Sequence, residues 1–183
     1  MGWGLKAVGI VAVVAGLGGC AAPDPFAIKT LPKGERVDVR DVIAANPGRS
    51  VCTDYEAKTQ SCASVITAVI KGNTLIAREI GMVRLPEAGA AQRVEIVSRS
   101  TLRDGQACAK TEDFSSPGRD EVSKLLVEIS RDLVNQSGGT VCASYFRSGE
   151  GYVVSSTGAD GAPFARGDVY LQYIDGPPKL RLQ

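Results

Sequence analysis

The chain has 183 residues, with 21 Lys plus Arg against 20 Asp plus Glu, a net charge of +1 and no histidine. A near-neutral chain with no Lys/Arg run longer than two residues lacks the clustered basic field that nucleic acid requires. Without histidine there is no Ser-His or Cys-His nucleophile pair and no His-ligated zinc or copper, which leaves only carboxylates, Lys, Tyr or Thr for catalysis.

The chain opens with a single positive charge, Lys6, followed by an apolar run from Ala7 to Leu17 and then Gly18-Gly19-Cys20. As helix, that run would measure roughly 16 Å against a hydrocarbon core of ~30 Å, which suits a signal segment and not a membrane span. A Leu and two small residues before a Cys resemble the lipobox of bacterial prolipoproteins. The resemblance covers residues 1–20 and implies that Cys20 is lipidated on its thiol, that residues 1–19 are removed, and that the new amino terminus is acylated. In that family Ala21 after the Cys implies the outer membrane, with the mature protein facing the periplasm. The alternative is an ordinary secretory signal cleaved at a small-x-small site around Cys20. Multiple acyl chains at one site exceed what stable anchoring needs. Residues 20–35, with prolines at 23, 25 and 32, read as the lipidated Cys and an extended tether, leaving 36–183 as one globular domain.

Along the domain, Arg36 to Ala45 is ambiguous between a strand and a short helix ending before Asn46-Pro47-Gly48. Residues 62–71 are dense in β-branched side chains, and Gly72-Asn73 turns them into a returning strand, Thr74 to Leu85. Arg93 to Leu102 alternates, with Val94, Ile96 and Ser98 on one face and Arg93, Glu95 and Arg99 on the other; Asp104-Gly105 then leads to a short strand near Cys108. An amphipathic helix is predicted at about 117–136, capped by Ser115 or Ser116, with Val122, Leu125, Leu126, Ile129 and Leu133 as its apolar stripe and Gly138-Gly139 as its stop. Strands resume at 140–147, 152–157, 168–174 and 179–182, with a glycine-rich loop at 158–167. Cys62-Ala63-Ser64 and Cys142-Ala143-Ser144 open the same order of elements, a weak repeat of 62–110 in 142–183. The fold class expected is α+β: a mostly antiparallel, curved sheet of hairpins with the one helix packed on a face.

Five cysteines become four once Cys20 is assigned to lipid, and four pair as two disulfides in an oxidising periplasm. Three connectivities are possible; Cys52–Cys62 is favoured because it closes a short loop, and Cys108–Cys142 because it would staple the two ends of a helical segment. No C-x-x-C, G-x-S-x-G, S-x-x-K, phosphate-binding or calcium loop occurs, so no catalytic residue, metal ligand or cofactor can be named. Asp160 lies alone in a turn, and Asp54, Tyr55 and Glu56 lie in the loop between Cys52 and Cys62, a possible recognition tip. Six of the nine aromatics after residue 20 fall between 145 and 173, and Tyr145, Tyr152, Tyr170 and Tyr173 are the candidate binding residues. The expectation is a lipid-anchored envelope protein that binds a partner or component without catalysis. The second reading is a small hydrolase of glycan or peptidoglycan using an Asp/Glu pair.

Overall fold

The computed structural model describes residues 28–84, 90–118, 120–164, 167–176 and 178–182. Cys20 and residues 21–27 of the tether lie outside the described residues.

The first elements are a two-residue strand, β1 (Arg36–Val37), and a short helix, α1 (Val39–Ala44), so the ambiguous stretch is both strand and helix. Asp38 caps α1 by accepting the amide of Arg40 at 2.7 Å. There follow β2 (Ser50–Thr53), β3 (Ser61–Cys62), β4 (Ser64–Lys71), β5 (Thr74–Val83), β6 (Gln92–Arg103), β7 (Gln106–Lys110) and β8 (Phe114–Ser115). The long helix α2 (Glu121–Gln136) then leads to β9 (Thr140–Ser148), β10 (Gly151–Gly158), β11 (Val169–Ile174) and β12 (Lys179–Leu180). At the β6–β7 turn both Asp104 and Gly105 have positive φ, 51° and 74°, the geometry that lets a two-residue turn follow the strand twist.

The curved sheet of the sequence reading is in fact closed. Strands β2, β4, β5, β6, β7, β9, β10 and β11 pair antiparallel in chain order, and β11 returns to β2, giving an eight-stranded up-and-down barrel. Closure satisfies edges that an open sheet would leave unpaired. One edge of β9 is shared, by β7 along Thr140–Ala143 and by β1 at Tyr145 and Phe146. The repeat fails at its last member: β7 stays beside β6, whereas β12 leaves the barrel and runs parallel to β3.

Alternation divides each strand between lumen and exterior. Val94, Ile96 and Ser98 point inward, whereas Arg78 and Glu95 meet outside in a two-pronged ion pair, Nη2 to Oε2 at 2.6 Å. Apolar residues therefore fill the inside and charges are carried outside, the inverse of a barrel that faces lipid. Among the described residues no helix is long and apolar enough to cross a membrane.

Helix α1 closes one end of the barrel and α2 covers part of the other. Val39 of α1 packs with Leu75, Leu102 and Ala107, and Val42 packs with Val51, Tyr152, Leu171 and Tyr173. At the other end, Val134 of α2 meets Ala109 and Val141, with Phe114 and Phe164 against them. The helix thus lies across a barrel end and not on a sheet face, and its buried side differs from the expected one. Val122, Ser123, Val127 and Val134 are buried, while Leu125 and Ile129 are 46% and 45% exposed. Ser123 accounts for the rotation: its hydroxyl accepts the amide of Glu95 at 3.1 Å, so an unpaired group of β6 is satisfied by the helix. The cap is Asp120, which accepts the Ser123 amide at 2.7 Å; Ser115 is instead part of β8, paired with β6.

Residues 28–35, expected as tether, are extended but docked on the barrel wall. Gly34 and Glu35 exchange backbone hydrogen bonds with Arg147, prolonging the β1–β9 ladder. Lys33 reaches Asp168 at 3.0 Å, and Asp168 also accepts the Leu31 amide at 2.9 Å.

Candidate functional site

The barrel encloses a cavity of about 290 Å³. Eight strands make an interior that side chains can just fill, so a void of that size needs a local cause. The cause is two arcs of small residues. Ala68, Ala77 and Ser98 are register partners across β4, β5 and β6, and Ala107, Ala143 and Ser156 are register partners across β7, β9 and β10. All six line the cavity, whereas larger Val51, Leu75, Leu171 and Tyr173 crowd the α1 end.

The wall is apolar but contains hydroxyls. Among the described residues, the Oγ atoms of Ser98, Ser100 and Ser156 make no hydrogen bond, although Ser100 is only 9% exposed. A hydroxyl facing an apolar space without a partner is costly unless water or a ligand bonds it. Near the α2 end, the hydroxyls of Thr53 and Ser64 lie 2.7 Å apart, and Ser64 also hydrogen-bonds the carboxylate of Glu79. Glu79 both lines the cavity and is exposed, which places the mouth beside it.

Three of the four candidate tyrosines converge inside. Tyr152 and Tyr173 meet edge to face with centroids 6.0 Å apart, and Tyr145 packs against the same cluster. Tyr170 points outward, with its ring against Gly151. The tyrosines therefore form no exposed sheet face. Burial pushes the Tyr145 phenol up to about 12, and burial, with Tyr145 and Tyr152 nearby, raises Tyr173. Both stay neutral at ordinary pH.

The structure joins Cys52 to Cys62 and Cys108 to Cys142. The loop between Cys52 and Cys62 is held at its first residues, while residues 56–60 are exposed. Tyr55 packs on that disulfide, Asp54 pairs with Lys29 at 2.8 Å, and Arg181 donates to the Asp54 carbonyl at 2.7 Å. Asp160 accepts the amide of Ala162 at 2.9 Å and thereby shapes its own turn. A second recess of about 290 Å³ near α1 is polar, with Arg49, Arg147 and Glu150 in its wall. Arg49 there is already bound to Asp175 and to the Tyr173 carbonyl.

Sequence reasoning missed Glu79, the lumen serines and the alanine arcs. Their signal was the alternation of small residues at 68, 77, 98, 107 and 143, legible only once the strands share an interior. Comparison with family models, with curated proteins and with solved structures found no match.

Proposed function

We propose that this chain is an exported, lipid-anchored binding protein whose barrel lumen takes one small, largely apolar molecule. The lumen itself carries the reading: an apolar cavity of about 290 Å³ holding hydroxyls that make no hydrogen bond among the described residues. It is roughly twice the ~150 Å³ apolar cavity that takes up benzene, enough for a bicyclic aromatic or a short alkyl chain. Two disulfides among the described residues fit an oxidising, extracytoplasmic setting. A hydrolase would need two carboxyls about 5–10 Å apart, and among the described residues Glu79 is the only carboxylate in the lumen wall.

Two experiments test this. The full chain should enhance the fluorescence of N-phenyl-1-naphthylamine at one site, and Ala143→Leu, which fills the lumen, should abolish the enhancement. Unchanged enhancement in that variant refutes lumen binding. Expressed in a bacterium, the chain should fractionate with membranes, and Cys20→Ala should release it as folded soluble protein. Retention of the variant refutes the anchor.

A further inference from the structure

The lumen is not uniform: one end is closed by aromatic and aliphatic side chains, and the other opens beside a carboxylate. In register, Glu79 lies between Ile66 and Ile96, both inward-facing. Its carboxylate thus stands in an apolar collar, held by the neutral donor Ser64, whose hydroxyl also meets Thr53. Four acids on the barrel have cations, Glu95 with Arg78, Asp168 with Lys33, Asp175 with Arg49 and Asp54 with Lys29, whereas among the described residues others such as Glu56 and Glu150 have none but do not line the lumen. Among the described residues Glu79 has none.

From this we infer that the lumen selects a cationic amphiphile, a protonated primary amine on an apolar body. The inference rests on the lumen-binding reading. The body lies along the alanine arcs, the ammonium sits at the mouth against Glu79, and the Ser64 hydroxyl fixes the rotamer that receives it. An ammonium has three donors and no acceptor, so it complements a carboxylate that already has one hydroxyl partner. A ligand ending in a carboxylate would bring like charges together in the collar and is rejected. A neutral alcohol can still bond Ser98, Ser100 or Ser156 but gains nothing from the charge.

The test uses three ligands with the same chain, octylamine, 1-octanol and octanoate, each displacing the naphthylamine probe from the full-length protein at pH 7 and low salt. Octylamine should bind about tenfold more tightly than octanol, the low end for a charge-assisted hydrogen bond at an exposed mouth, and octanoate should bind most weakly. Glu79→Gln should erase the advantage of the amine while leaving octanol affinity unchanged, and added salt should erode it in the wild type. Octanol or octanoate binding as well as octylamine would overturn the amine preference while leaving lumen binding intact. An amine advantage that survives Glu79→Gln would also overturn it. If none of the three displaces the probe and Ala143→Leu leaves probe binding unchanged, the lumen reading falls and takes this inference with it.

Discussion

Cys108 on β7 and Cys142 on β9 are register partners where these two strands pair in the barrel wall, and a disulfide joins them there. Between them run a short 3₁₀ turn at Thr111–Asp113, β8 and α2, so the covalent link spans 34 positions and holds together two strands that this excursion separates. The sequence argument treated this bond as a staple on the ends of a helical segment. In the fold it does join the two ends of the segment that carries α2, and it also links two neighbouring strands of the barrel, which share four register pairs.

Removing it should therefore cost more than removing the other disulfide. On loop-closure entropy, replacing both Cys108 and Cys142 by Ala should lower stability by about 4 kcal/mol, against about 3 kcal/mol for Cys52 and Cys62, whose separation is 10. Chemical denaturation of the two double variants measures the difference. Hydrogen exchange should show protection lost at the β7–β9 amides in the first variant alone.

The docked N-terminal segment turns on Asp168, whose side chain is 5% exposed. Burial pushes its carboxyl up, but the Leu31 amide, the Lys33 ammonium and the Ser155 hydroxyl together hold it below its ordinary value. A carboxyl depressed in the folded state contributes stability above its unfolded value near 4 and loses it as pH falls through the folded value. Wild-type stability should fall below about pH 4 more steeply than that of Asp168→Asn. At neutral pH the variant should be about 2 kcal/mol less stable and should be cut by proteases within residues 28–35. Equal acid slopes for the two proteins would contradict the role given to Asp168.

The rotation of α2 predicts an inverted mutational pattern. Val134→Ala removes methyls from a fully buried site and should cost about 1–2 kcal/mol. Ile129→Ala, although a larger truncation, acts on an exposed side chain and should stay within about 0.5 kcal/mol. Thermal denaturation distinguishes this from the leucine-stripe packing expected from periodicity, which would reverse the order.

Filling part of the lumen should stabilise the empty protein and weaken the occupied one. Ala77→Val adds two methyls to one alanine arc and should raise stability by roughly 0.5–1 kcal/mol. Affinity for the naphthylamine probe should drop in the same variant. Loss of stability instead would mean that the arc is already packed.

Much of the local structure was legible beforehand. Alternation marked β6, the β-branched run marked β4, and Gly72-Asn73 and Asp104-Gly105 marked two hairpin turns, because these signals act over a few residues. β2 escaped because Ser50–Thr53 is too short to show an alternation, and its place is set by β4 and β11. The α2 face was misread because buried Ser123 and half-buried, cavity-lining Ser130 share the inward stripe with Val127 and Val134, and serines carry no apolar signal.

By itself the sequence determined most of the longer strands, which segment is the one long helix, and that side chains such as Tyr145 and Phe146 oppose each other. It left undecided which face was inside. A period of two distinguishes two faces without ranking them; the ranking comes from which edges pair, and β11 reaches β2 from more than a hundred residues away. Only that long-range pairing turned one face of every strand toward a common axis, collected three tyrosines there, and set Glu79 at the mouth of a lumen.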